Sequence, residues 1–108
     1  MKAKPYKFEG GSYTECDPFE ASHVMIHKRG PFTNQLLPVI QKGSRDAQPS
    51  PVWTWNGDTE KPTLKPSVLT WTDTDRCHTW ITDGQVIYLP DCSHEFAGQT
   101  LELLEVDN

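Results

Sequence analysis

Apolar residues in this chain come in short runs that alternate with polar ones, and glycine, proline and aspartate break the runs about every 8 to 12 residues. No window of 12 or more residues carries an apolar stripe at helical spacing. The pattern predicts a mainly β fold: a single small antiparallel β domain spanning residues 1–108, a sandwich or an open barrel, with little helix. Strands are expected over 12–15, 22–27, 35–41, 52–55, 67–71, 77–81, 85–89 and 100–104. Pro38 cannot donate to a ladder, which demotes the third of these to a sheet edge. Two prolines separated by three residues in Pro62-Thr63-Leu64-Lys65-Pro66 favour an unpaired extended crossing before the strand that begins at Ser67. The polar stretch 43–51 is expected to form a mobile surface loop.

The most informative segment runs from Cys77 to His94. Cys77-His78 opens a strand, Asp83-Gly84 reverses the chain, and Asp91-Cys92-Ser93-His94 follows the returning strand. A hairpin brings its two ends within about 5 Å, so groups that ligate metals, move protons or attack electrophiles collect in one place. A two-residue loop at Asp83-Gly84 would set Ile81 opposite Val86. A three-residue loop over Thr82-Asp83-Gly84 gathers Trp80, Val86 and Tyr88 on one face with His78 at its end, and is preferred. Both faces then carry apolar residues, which places the hairpin inside the sheet, and the His78 and His94 rings become close neighbours.

Composition narrows the chemistry. The apolar fraction of 35% is low for a chain of 108 residues that relies on its core alone, so a staple would help. The four tryptophans lie between residues 53 and 80 and are expected in the core; an exposed aromatic platform is the other reading. A formal charge of -5 without a basic run makes nucleic acid an unlikely partner. No run reaches the roughly 18 apolar residues of a membrane span, and no apolar stretch follows the basic N-terminal residues, so the protein is expected in the cytoplasm. Three cysteines are too few for a disulfide scaffold and read as thiols or thiolates.

Zinc takes four thiolate, imidazole or carboxylate ligands in a tetrahedron, and Cys16, His23, His78 and His94 are the favoured set. His78, Asp91 and His94 have the composition of a two-histidine, one-carboxylate iron site. Cys92 with His78 or His94 is the better thiol and base pair, with Asp91 orienting the base. Against these stand simpler roles: Cys77 and Cys92 as small core residues, and Asp91 accepting from His78 or His94 to fix a tautomer.

Trp53-Thr54-Trp55-Asn56-Gly57-Asp58, Pro62-Thr63, Pro66-Ser67, Cys77-His78, Asp83-Gly84, Asp91-Cys92-Ser93-His94 and Ala97-Gly98-Gln99-Thr100 together resemble a family of small phage and prophage proteins of unknown function. Its members often carry an ammonia monooxygenase label that nothing in the sequence supports. The resemblance covers about the last 55 residues. Family members often have Cys-x-x-Cys-x-x-x-His near the N-terminus; here Cys16 and His23 match and Phe19 replaces the second cysteine. The resemblance implies a phage-type accessory protein that binds a host or phage macromolecule, with a protein partner and a structural zinc in view. The alternative is a small metal- or thiol-dependent hydrolase working at the hairpin end, so enzyme or binder stays open.

Overall fold

A computed structural model describes residues 1–41 and 51–106. The expected loop at 43–51 therefore lies, Pro51 apart, outside the described residues. Among these residues nine strands form one open mixed sheet, in spatial order β2-β1-β3-β4-β5-β6-β7-β8-β9. They are β1 (Lys4–Glu9), β2 (Ser12–Glu15), β3 (His23–His27), β4 (Asn34–Ile40), β5 (Trp53–Trp55), β6 (Leu64–Trp71), β7 (Arg76–Thr82), β8 (Gln85–Tyr88) and β9 (Thr100–Glu102). Among the described residues the helical content is one 3-10 turn, Pro18–Glu20. All pairs are antiparallel except β4 with β5. Among the described residues no helix is long and apolar enough to cross a membrane.

Alternation along the strands builds the core. Val24 and Ile26 of β3, Leu37 and Val39 of β4, Leu64 and Val68 of β6, Cys77 and Ile81 of β7, and Val86 and Tyr88 of β8 are buried in one cluster with Trp55 and Leu103. Residues from so many strands can share one cluster because the sheet curls around it. An isolated bridge from His27 to Leu104 ties the chain after β9 back to the end of β3.

Several expectations are corrected. β1 was not among the expected strands; its lysines and proline hide the period of two, and its pairing with β2 and β3 supplies the order. β4 is interior, not an edge, and Pro38 is tolerated for a geometric reason. Val39 N–H donates to Ser22 O on the β3 side, so the donor that Pro38 lacks would face the other side, where β5 pairs only from Val39 onward. The proline-rich segment is paired rather than free: β6 starts at Leu64, and Lys65 faces Thr54.

The Asp83-Gly84 turn is the two-residue kind, with Ile81 opposite Val86 and Thr82 opposite Gln85. Asp83 and Gly84 both have positive φ, 50° and 78°, as the mirror-image turn that matches strand twist requires. The preferred three-residue loop is thus overturned. Cys77, Thr79, Ile81, Val86 and Tyr88 face inward, while His78 and Trp80 face outward. The hairpin is interior, as expected, between β6 and β9. The tryptophans divide: Trp55 is buried and Trp53 partly so, but Trp71 and Trp80 stand 66% and 39% exposed.

Candidate active site and metal centre

β6 and β7 pair across an irregularity. Leu64 faces Ile81 and Val68 faces Thr79, so β6 takes four steps where β7 takes two. The extra residues bulge at Lys65-Pro66-Ser67, and such bulges re-aim side chains. Trp53 Nε1 donates to Ser67 O at 3.3 Å and holds the bulge from the β5 side. Beyond it the ladder resumes at Val68 and continues with Leu69 opposite His78, which sets Ser67 diagonally across from His78 on the outward face.

There Ser67 Oγ lies 2.9 Å from His78 Nε2. On the other side of the ring, His78 Nδ1 lies 3.1 Å from Asp91 Oδ2. With Nδ1–H donating to the carboxylate, Nε2 keeps its lone pair for the serine hydroxyl proton. Arg76 braces the same carboxylate, with Nε donating to Asp91 Oδ2 at 3.0 Å and a second guanidinium nitrogen 2.9 Å from it. Partial burial pushes the Asp91 carboxyl up, but the hydrogen bonds from His78 and Arg76 outweigh it and hold the group below the usual aspartate value. Asp91 thus stays ionised beside His78.

The segment carrying Asp91 docks on β7 through side chains that stand in for a strand. Cys92 Sγ accepts from His78 N–H at 3.2 Å and reaches His78 O at 3.3 Å. Ser93 Oγ accepts from Arg76 N–H at 2.8 Å, and Ser93 N–H donates to Arg76 O at 2.9 Å. Asp91 is therefore fixed relative to His78 by contacts of the two residues that follow it to the backbone of His78 and of Arg76.

On the inward face, one strand thickness away, a second cluster forms. Donor atoms of Cys77, Cys92 and His94 lie within 4.8 Å of one another, a group that can hold a metal ion and is compatible with zinc. His94 packs edge-on against Tyr88, with ring centroids 5.4 Å apart, and the other face of the fold closes over it at Gly30. Its Nε2 is buried without a hydrogen-bond partner. Lys28 is fully buried beside the two thiols, and its Nζ donates to Thr79 Oγ1 at 3.2 Å. Burial lowers the Lys28 pKa, and burial likewise pushes the Cys77 thiol up.

The predicted quartet of Cys16, His23, His78 and His94 is not brought together, since only His94 belongs to a ligand-like group among the described residues. His23 hydrogen-bonds Ser22 Oγ at 2.8 Å and lies edge-on to Tyr13, and burial lowers its pKa. Cys16 follows β2, its thiol pushed up by burial and then by Glu20 and Asp17. The His78 and His94 rings are not close neighbours at one centre: alternation sends His78 outward with Ser67, while His94 joins Cys77 inside. This also separates the expected iron set of His78, Asp91 and His94. Of the two thiol and base pairs, Cys92 with His78 fails, because Cys92 meets the His78 backbone rather than its ring. Cys92 and His94 do come together in the inward cluster, away from Asp91's partner His78.

The residue that sequence reasoning missed is Ser67. It stood only as the start of a strand and as part of a Pro-Ser motif, and its partner His78 was assigned to metal. A serine on the same face as a histidine whose other nitrogen has a carboxylate is a recognisable signal once β6 is paired with β7.

A protein-family model described as "Bacterial ubiquitination-like system serine protease (BubE)" matches residues 37–89, a stretch that holds Ser67 and His78 and stops just before Asp91. That description names neither a phage protein nor a monooxygenase. No curated protein and no solved structure matches the chain.

Proposed function

We propose that this protein is a serine peptidase in which Ser67 is the nucleophile, His78 the general base and acid, and Asp91 the group that orients His78. The observation that carries the reading is the unbroken relay from Ser67 Oγ through His78 to Asp91 at 2.9 and 3.1 Å. As Ser67 Oγ attacks the carbonyl carbon of an amide, its proton passes to His78 Nε2. Collapse of the tetrahedral adduct expels the amine, which takes that proton from Nε2, and leaves an acyl-serine ester. Water, deprotonated by the same nitrogen, then attacks the ester carbonyl, and collapse releases the acid while Nε2 returns its proton to the departing Ser67 Oγ. Asp91 and Arg76 keep Nδ1 protonated and aimed throughout.

The family match supports a substrate in a ubiquitination-like system, an amide bond at a ubiquitin-like protein. Exposed Leu69, Trp71 and Trp80 surround His78 on the outward face and favour a protein substrate, so the protein partner expected from the sequence is here the substrate itself. A fluorophosphonate probe tests the reading: it labels the wild-type chain at Ser67, and Ser67→Ala and His78→Ala lose labelling by at least about 10³-fold. A folded wild-type chain that resists the probe, or a Ser67→Ala variant that still reacts, refutes it.

A further inference from the structure

We propose that a zinc-class divalent cation binds Cys77 Sγ, Cys92 Sγ and His94 Nε2 and acts as a tether that sets the spacing of His78 and Asp91. The metal part stands on its own geometry; its effect on Ser67 rests on the peptidase reading above.

Three donors from two parts of the chain, Cys77 on β7 and Cys92 and His94 in the segment after β8, already converge within 4.8 Å. Zinc bonds of about 2.3 Å to sulfur and 2.0 to 2.1 Å to nitrogen place tetrahedral donors roughly 3.4 to 3.8 Å apart, so the cluster need contract by only about 1 Å. Both sulfurs are buried, and soft thiolates with an imidazole select a zinc-class ion over calcium or magnesium. The second sign of a missing ligand is His94 Nε2, sealed from solvent with no partner. Lys28 does not relieve it, since its amine is directed at Thr79 and Cys77. Ligation at Nε2 moves the ring proton to Nδ1 and releases the Phe96 N–H bond to Nδ1, a contact of 3.3 Å at the long end of the range.

The position of the cluster gives it its role. Cys77 precedes His78 and Cys92 follows Asp91 in the chain, so one ion bonded to both sulfurs fixes the separation of the two segments that hold the base and its orienting acid. Cys92 Sγ is also hydrogen-bonded to the His78 backbone N–H, an outer contact of the kind thiolate ligands keep.

The test uses the full chain purified from zinc-supplemented cells. Elemental analysis should find about one zinc per chain, and Co²⁺ exchange should give the intense thiolate-to-cobalt absorption of a sulfur-ligated tetrahedral site. Cys92→Ser and His94→Ala should each lower the metal content several-fold. A folded wild-type chain with neither zinc nor the cobalt band overturns the site, as does full metal content in both variants; the cobalt titration decides even where a variant fails to fold. Chelation should then slow fluorophosphonate labelling of Ser67 about 10-fold to 100-fold, with recovery on adding Zn²⁺. Unchanged labelling of the folded, metal-free chain overturns the tether. A chain that binds zinc but never labels sinks the peptidase reading and leaves the metal site intact.

Discussion

The two faces of β7 carry the same kinds of residue and do opposite things with them. On the outward face His78 has a partner on each nitrogen, Ser67 and Asp91, and a path to solvent. On the inward face His94 has a buried nitrogen without a partner, next to two buried thiols and a buried lysine. A proton relay needs an ionised acid, and Asp91, with its side chain 43% exposed and bonded by Arg76, can stay ionised. Ions are costly to bury, so the inward cluster is neutral or holds a cation. The lesson is that the type of histidine chemistry follows from the side of the sheet rather than from the motif.

Asp91→Asn strikes the outward face hardest. Asparagine neither balances the charge on His78 nor fixes its tautomer, and the labelling rate of Ser67 should fall by about 10³-fold to 10⁴-fold while the circular dichroism spectrum stays unchanged. A drop under tenfold would mean that His78 is oriented by something else.

Trp55→Ala strikes the inward side. Trp55 is 1% exposed in the main cluster, and its truncation should cost about 3 to 5 kcal/mol in urea unfolding. If the loss is below about 1 kcal/mol, the core does not depend on the β5 indole.

Acid titration compares the faces through Asp91 alone. Its pKa is lowered in the folded state, so its contribution is present above the ordinary aspartate value near 4 and is lost as pH falls through the lower folded value. The wild type should therefore lose stability in that window, and Asp91→Asn should give a flatter curve. Identical acid profiles would remove the Asp91 bonds from the account.

Trp71→Ala should have the smallest effect. At 66% exposure it should change stability by no more than about 0.5 kcal/mol and leave labelling by a small probe unaltered. KM for a protein substrate should rise several-fold, and an unchanged KM would show that substrate docks elsewhere.

Much of the fold was legible in local pattern. Seven of the strands other than β1 and β6 were expected within a few residues of their bounds, because alternation and Gly, Pro or Asp breaks are local signals. The Asp83-Gly84 reversal was also legible, but its register was not. Pooling Trp80 with Val86 and Tyr88 assumed that large aromatics belong inside, whereas the mirror-image turn put Trp80 outside. In the candidate site, a carboxylate of Asp91 fixing the tautomer of His78 or His94 was the simpler alternative to a metal role for His78, and the structure assigns it to His78. Ser67 was not, because its approach to His78 depends on a bulge and on a pairing between β6 and β7.

By itself the sequence determined the β class, the hairpin at Asp83-Gly84 and the crowding of Cys, His and Asp at its open end, since these follow from steric preferences over a few neighbouring residues. Only the tertiary structure decided that Ser67 meets His78 and that His94 turns away to Cys77 and Cys92. The physical reason is the two-residue period of a strand: one step of register moves a side chain to the opposite face, and register is set by distant partners.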